Sequence, residues 1–218
     1  MVKMKNIGGC DRPKSQHNSG FTLIELMLAM ALMTVVLGGA VAMAMQMQTA
    51  YTMQLENATA EEEGRYALDW IARILRSAGS DAQNVVVEED RIVLDPNGNG
   101  INDDLEIQAD VDSDGTIGEG EHITIAYDPD DMVITKQDPL AADPSAVAMT
   151  EPIFTDLTFS FLNSSHAATT NPNSIAYVRV SVTVRSKSAA TVGGVLDEDT
   201  GVRYLTSTLD TEVRLRTR

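Results

Sequence analysis

The chain has little cysteine, few aromatic side chains and little proline in its first half. Each shortage excludes some folds or some kinds of functional site. Its only cysteine is Cys10, so no disulfide can staple the domain that follows. No thiolate or spaced histidine pair is present after residue 20 to hold zinc. His122 and His166 stand apart from any recognisable nucleophile motif, so the sequence predicts a protein that is not an enzyme.

Proline is absent between Pro13 and Pro96. Nothing in the sequence therefore forces a break in a helix running from about Thr22 to Ala78. Aromatic residues make up 5% of the chain and hydrophobic residues 43%, which predicts a core built from aliphatic side chains. The 218 residues suffice for this helix and one further domain of about 140 residues.

Basic residues are outnumbered two to one by acidic residues, and the formal net charge is −16. Nucleic acids and anionic lipid headgroups would be repelled by such a chain, so neither is expected as a partner. No Lys or Arg occurs between Ile92 and Thr135, although that stretch holds twelve Asp or Glu residues. So dense a run of carboxylates needs a counter-charge.

A long apolar run extends from Phe21 to Met45 and contains one charged side chain, Glu25. A charge inside hydrocarbon costs about 2.5 to 3.5 kcal/mol on insertion scales, so such a residue is a functional-site hypothesis that requires a partner. Cleavage after Gly20 would give Phe21 a free α-amino group four residues before Glu25. One rigid helix cannot easily pair these two charges, but staggered neighbouring helices can, which predicts side-by-side assembly.

The segment Gly20-Phe21-Thr22-Leu23-Ile24-Glu25 resembles the N-terminus of type IV prepilins and pseudopilins. A secretory signal instead has an apolar core of about 7 to 15 residues with cleavage after it, whereas here the run is 25 residues long and cleavage precedes it. The resemblance implies that a prepilin peptidase cuts between Gly20 and Phe21 and N-methylates Phe21. It also places Glu25 at the glutamate position of the family and implies other pilins or pseudopilins as partners.

Four regions follow from this interpretation. Residues 1–20 form a leader whose net charge of +3 keeps it cytoplasmic, so the rest faces outward, first from the inner membrane and then in a periplasmic or extracellular pilus. Residues 21–45 form the transmembrane and assembly half of the helix, and residues 46–79 its amphipathic half. Within the apolar half, Gly38 and Gly39 predict either local melting or close helix packing, and the sequence leaves both open.

Residues 80–218 have the period-2 pattern of strands and form the predicted β-rich exported domain. We expect hairpins from 84–87 with 91–94 and from 122–127 with 132–136, then strands over 153–162, 178–185 and 204–215, with a loop over 189–201. The amphipathic half of the helix should lie on this sheet and end at Gly79. Its apolar residues form two stripes, one of Met47, Tyr51, Leu55 and Ala58 and one of Tyr66, Trp70, Ile74 and Ala78. The fold class is thus α+β: the pilin fold, in which a long N-terminal helix packs on an antiparallel sheet.

Two segments within the acidic stretch 95–121 match the twelve-residue calcium loop, which has oxygen ligands at positions 1, 3, 5, 7 and 9, glycine at 6 and glutamate at 12. At position 9 the second loop has glycine and would need a water molecule. Calcium prefers such oxygen ligands, so the sequence predicts one or two bound Ca²⁺ ions. The predicted ligands are Asp95, Asn97, Asn99, Ile101, Asp103 and Glu106 in the first loop, and Asp110, Asp112, Asp114, Thr116 and Glu121 in the second.

These loops lack the paired helices of an EF-hand and look more like the loops of dockerin-type or thrombospondin-type repeats. The alternative is a solvated turn rich in Asp, Asn and Gly, since these residues favour turns without a metal.

Three further segments resemble PilW-type minor pilins, namely 65–73 followed by Ala78-Gly79, then 121–127 and 157–162. The expected function is that of a minor pilin that helps to initiate or cap a type IV pilus. A minor pseudopilin of a type II secretion system shares the N-terminus and is the alternative. A membrane-anchored calcium-binding adhesin or sensor is a further alternative, but a simple anchor gains nothing from the carboxylate of Glu25.

Overall fold

The computed structural model describes residues 20–81, 83–87, 91–190, 193–198 and 200–215. The leader prediction thus lies outside the described residues, except for Gly20. The chain divides into two compact units, Met1–Gln48 and Thr49–Arg218. Helix α1, Leu23–Ser77, begins in the first unit and ends in the second, close to both predicted ends.

In the first unit, every described residue from Gly20 to Gln48 is exposed. Gly38 and Gly39 are helical, and a Cβ added at either would meet nothing within 4 Å. The helix is therefore continuous through the glycine pair.

The described residues of the second unit form ten strands in three antiparallel sheets. Five strands pair in sequence order: β1 (Ile92–Leu94), β2 (Asp104–Gln108), β3 (His122–Asp128), β4 (Val133–Gln137) and β5 (Val147–Ala148). A second sheet has the order β10-β7-β6, from β6 (Phe154–Leu162), β7 (Tyr177–Arg185) and β10 (Thr206–Arg214). Strands β8 (Val195–Leu196) and β9 (Arg203–Tyr204) pair with each other, and a short 3₁₀ helix spans Pro172–Ser174.

One hydrophobic core joins the C-terminal half of α1 to both larger sheets. Because side chains alternate across a strand, β6 directs Leu157, Phe159 and Phe161 into the core, as predicted. Strand β7 does the same with Val178, Val180, Val182 and Val184. The predicted α+β class, with a helix packed on antiparallel sheets, is confirmed and is consistent with the pilin fold.

The predicted stripes of the helix are confirmed only in part. Ala78 is fully buried, and Trp70 and Ile74 pack, partly buried, against the core. Tyr66 is 52% exposed, and the side chains of the earlier stripe are exposed as well. Most of the buried face uses small and aliphatic residues: Ala60, Gly64, Ala67, Leu68, Ile71, Ala72 and Leu75. Small residues let the helix backbone approach the sheet, and a Cβ on Gly64 would lie 2.8 Å from Cδ1 of Leu209 in β10. Wide aromatic side chains at the same positions would hold the helix away from the sheet.

The first predicted hairpin is also wrong. Residues 84–87 are not a strand, because the carboxylate of Asp81 accepts hydrogen bonds from the amides of Val85 and Val86 at 2.9 Å each. Strand β1 pairs with β2, whose residues the sequence assigned to the acidic stretch. The second predicted hairpin, β3 with β4, is confirmed, with Asp128 opposite Val133. The predicted loop 189–201 contains β8.

Candidate functional site

Helix α1 begins with a side-chain cap. Thr22 precedes the first helical residue, and its Oγ1 accepts a hydrogen bond from the amide of Glu25 at 3.3 Å. The carbonyl of Thr22 accepts from the amides of Glu25 and Leu26 at 3.1 and 3.2 Å. Glu25 is thus the third residue of a helix capped by Thr22, the position that a glutamate takes in a Thr-x-x-Glu capping box and where the helix dipole favours an anion. This position indicates a local role for Glu25 that the sequence reasoning did not consider.

Beyond the cap, the first unit presents apolar side chains on all sides of the helix. Leu23, Ile24, Val35 and Val36 are each at least 70% exposed. Among the described residues, α1 is a helix long and apolar enough to be a candidate membrane span. A surface this apolar requires lipid or other apolar helices around it.

The predicted processing site lies just before the helix. Gly20 and Phe21 are both exposed, and no heavy atom of another described residue would come within 4 Å of a Cβ on Gly20. The junction between these residues is thus sterically accessible. Cleavage itself stays a prediction.

The first predicted calcium loop follows β1 and is held by side-chain turns. The carboxylate of Asp95 accepts from the amides of Asn99 and Gly100 at 3.0 and 2.8 Å. Asn97 accepts from the amide of Asn99 at 2.8 Å, and Asn99 from that of Ile101 at 2.7 Å. Backbone amides therefore satisfy both carboxylate oxygens of Asp95.

The later positions of this loop lie in or beside β2. Glu106 belongs to β2, and its Oε1 lies 2.7 Å from Nε2 of His122 in β3. Asp103 immediately precedes the strand. The sequence reasoning missed Asp104, which is buried in β2 and accepts from the amide of Asn97 at 3.0 Å. Burial raises the pKa of Asp104, partly offset by that hydrogen bond. Asp104 is one of twelve acidic residues between Ile92 and Thr135, and nothing in the sequence distinguishes it from the others.

The second predicted loop connects β2 to β3 and brings three carboxylates together. Oxygen atoms of Asp110, Asp112 and Asp114 all lie within 4.8 Å of one another. Asp112 accepts from the amide of Asp114 at 3.0 Å, and Asp114 accepts from the amide of Thr116 at 2.8 Å. Asp110 is fully buried, and neither of its carboxylate oxygens has a hydrogen-bond partner among the described residues.

Glu121 closes the base of this loop. Its Oε1 accepts from the amides of Val111 and Asp112, the latter at 3.1 Å, and its Oε2 accepts from that of Gly118 at 2.9 Å. These amides, with Gly118 the strongest, lower the pKa of Glu121. The glutamate predicted at position 12 thus shapes the loop, and it lies outside the group of three aspartates.

Comparison with known proteins decides what the N-terminal segment is. Residues 15–41 match the family described as the prokaryotic N-terminal methylation motif. The chain has the N-terminal signature of a type IV prepilin or pseudopilin. No curated protein and no solved structure matched the chain.

The signature and the fold agree with each other. Prepilins and pseudopilins resemble this chain in having an apolar N-terminal helix that continues onto an antiparallel sheet, as α1 does here. The signature indicates a structural protein, processing by a prepilin peptidase and assembly with other pilins. An apolar helix at this position fits an inner-membrane anchor before assembly into a pilus.

Proposed function

We propose that this protein is a minor pilin, a structural subunit that helps to initiate or cap a type IV pilus. The proposal rests on the methylation motif at residues 15–41, which overlaps the start of an apolar helix, and on the exposure of every described residue from Gly20 to Gln48. In a filament, neighbouring helices of the same kind would cover that surface. In the inner membrane, lipid would cover it.

The minor rather than major role is supported by the composition of the chain. At 218 residues it is long, and it has neither a proline between Pro13 and Pro96 nor a pair of cysteines. A helix proline and a C-terminal cystine are common in the major subunits that it resembles at its N-terminus. A minor pseudopilin of a type II secretion system has the same signature, and co-purification with pilus or with secretion components separates the two.

The PilW-like segments support the fold more than the role. Leu68 and Ile71 of segment 65–73, Ile123 and Ile125 of 121–127, and Leu157 and Phe159 of 157–162 all lie in the one hydrophobic core. Their shared pattern is accounted for by packing of the helix on the two sheets. The pilin assignment therefore rests on the N-terminal helix, and the minor role rests on the length of the chain and its lack of a helix proline and a cysteine pair.

Glu25 is the residue through which assembly is proposed to act. Its carboxylate would pair with the α-ammonium of Phe21 on a neighbouring subunit, inside the apolar bundle of helices. Removing one partner of a buried ion pair costs about 3 to 5 kcal/mol because the other charge is left unpaired. The capping box offers a competing explanation, in which Glu25 matters only to the helix of its own chain.

Two variants separate these explanations. Glu25→Gln removes the charge but keeps a residue that serves at the third position of a capping box. Thr22→Ala removes the cap but keeps the charge, at a cost of about 1 kcal/mol. We expect Glu25→Gln to be cleaved and to remain in the membrane, yet to fall to background in sheared filaments. Thr22→Ala, once its cleavage is verified, should still assemble.

The opposite pattern, with Glu25→Gln recovered from filaments like the wild type and Thr22→Ala lost, would show that Glu25 only caps its own helix. The intersubunit pairing would then be wrong. If Glu25→Gln and the wild type were both absent from every filament fraction while fully processed, the pilin role itself would be refuted.

A further inference from the structure

The acidic loop between β2 and β3 contains a buried carboxylate that makes no hydrogen bond to the described residues. Asp110 is 0% exposed, and both of its carboxylate oxygens lack a hydrogen-bond partner among the described residues. Buried carboxylates are normally hydrogen-bonded or paired, since a lone one is strongly disfavoured. The Asp110 carboxylate is directed at Asp112 and Asp114, with one oxygen of each residue within 4.8 Å of the others.

Three carboxylates this close repel one another unless a cation lies between them. Like charges about 4 Å apart interact weakly in bulk water, but the repulsion grows as solvent is removed. Asp112 and Asp114 are exposed and Asp110 is buried, so the cluster opens to solvent on one side. A small cation can thus reach it from the surface and contact the buried oxygens.

We infer that this loop binds one calcium ion through the carboxylates of Asp110, Asp112 and Asp114. Only oxygen ligands are present, and hard cations that take six to eight oxygens prefer such a set. Thr116 follows at the position whose backbone carbonyl contributes a further ligand in loops of this spacing, and water completes the shell. Gly115, at position 6, has a φ of +83°, the left-handed conformation that the sharp turn requires.

The first acidic loop has the same sequence pattern but a different carboxylate environment. At its first position, both oxygens of Asp95 accept hydrogen bonds from backbone amides, so that residue is already satisfied. In the second loop, the equivalent residue is Asp110, whose carboxylate oxygens accept no hydrogen bond from the described residues. The inference therefore concerns the second loop alone, and it predicts one ion per chain.

The ion would stabilise a junction of the fold as well as the loop. The amide of Asp110 donates to the carbonyl of Ser80 at 2.7 Å, and the amide side chain of Gln83 donates to the carbonyl of Ser113. Residues 80 and 83 belong to the segment that follows α1. Calcium bound at Asp110 would thus fasten the end of the helix to the base of strands β2 and β3.

Thermal unfolding and calorimetric titration of the full chain in detergent test the inference. We expect one calcium ion per chain, with a rise in melting temperature that equal magnesium does not reproduce. Asp110→Asn should abolish the calcium-dependent rise, yet in chelator it should unfold at the same or a higher temperature than the wild type, since it removes a buried carboxylate that makes no hydrogen bond. If Asp110 were merely structural, Asp110→Asn would keep the calcium-dependent rise and would unfold at a lower temperature than the wild type in chelator.

Asp114→Asn keeps the test decisive if the buried variant fails to fold, because Asp114 is exposed. It should weaken calcium binding about tenfold or more, since the number of charged ligands tunes calcium affinity over several decades. Asp95→Asn and Asp130→Asn are matched controls in the first loop and in the β3–β4 turn, and both should bind calcium like the wild type. Any one of four results would overturn the assignment. Two concern the wild type: no heat of calcium binding at millimolar concentration, or an equal response to magnesium. The other two concern the variants: unchanged calcium affinity in both Asp110→Asn and Asp114→Asn, or loss of calcium binding in Asp95→Asn.

Discussion

The amide of Gly79 donates a hydrogen bond to the carbonyl of Gln108 at 3.1 Å, which ties the residue that ends the helix to the last residue of β2. Gly79 has a φ of +72°, and the amide of Ser80 turns back to the carbonyl of Ser77 at 2.8 Å. This is the left-handed helix end that the sequence predicted at Gly79. The end of α1 and the end of β2 thus form one joint.

Gly79→Ala should destabilise the protein for two reasons, and Gly98→Ala isolates one of them. Both glycines have a φ near +71°, where any Cβ costs about 1 to 2 kcal/mol. At Gly98 the Cβ would meet nothing within 4 Å, whereas at Gly79 it would lie 2.2 Å from Cδ of Arg91. We expect Gly79→Ala to lower the free energy of unfolding by about 1 to 3 kcal/mol more than Gly98→Ala does.

Denaturant unfolding of the two variants in metal-free buffer measures this difference. Equal losses of stability would mean that the side chain of Arg91 moves aside without cost. The close approach of the helix end to Arg91 would then contribute nothing to the joint.

Asp104 should make the protein less stable as the pH rises. Burial raises the pKa of Asp104 in the folded state above its ordinary value of 3.8, so the folded protein holds this proton more tightly than the unfolded chain does. Stability therefore falls from about pH 3.8 upward until Asp104 is ionised in the folded state, and the penalty then persists. Asp104→Asn removes the charge, and its amide oxygen can still accept from the amide of Asn97.

The expected result is a stability advantage for Asp104→Asn over the wild type that is larger at pH 7 than at pH 3.5. Urea unfolding in metal-free buffer at both pH values measures it, with the exposed Asp130→Asn as the control for removal of one acidic charge. An advantage of the same size at both pH values would show that titration of Asp104 is not its cause.

The sequence predicted those helices, strands and turns whose conformation is set by nearby residues. The apolar run without proline predicted α1 to within one residue at each end. The alternation around Val180 and Val182 predicted β7, and Asp128 to Asp131 predicted the turn between β3 and β4. In each case, the side chains that define the element are consecutive or evenly spaced.

The features that the sequence did not predict depend on contacts between distant residues. Strand β2 was hidden because its residues also fit the end of a calcium loop, and its pairing with β1 and β3 decided its conformation. The buried face of α1 was predicted only in part, because Tyr66 is apolar but too wide for the close approach that Gly64 permits. At the acidic loop, the ligand types were readable, but the burial of Asp110 was not.

We infer that this chain is processed as a prepilin between Gly20 and Phe21, and N-terminal mass spectrometry of the protein from cells with a prepilin peptidase tests this processing. We expect a mature chain that begins with N-methylated Phe21, and an uncleaved precursor retained in the membrane when Gly20 is replaced by a bulkier residue. A chain that still begins at Met1, or one that begins after Met45, would contradict it.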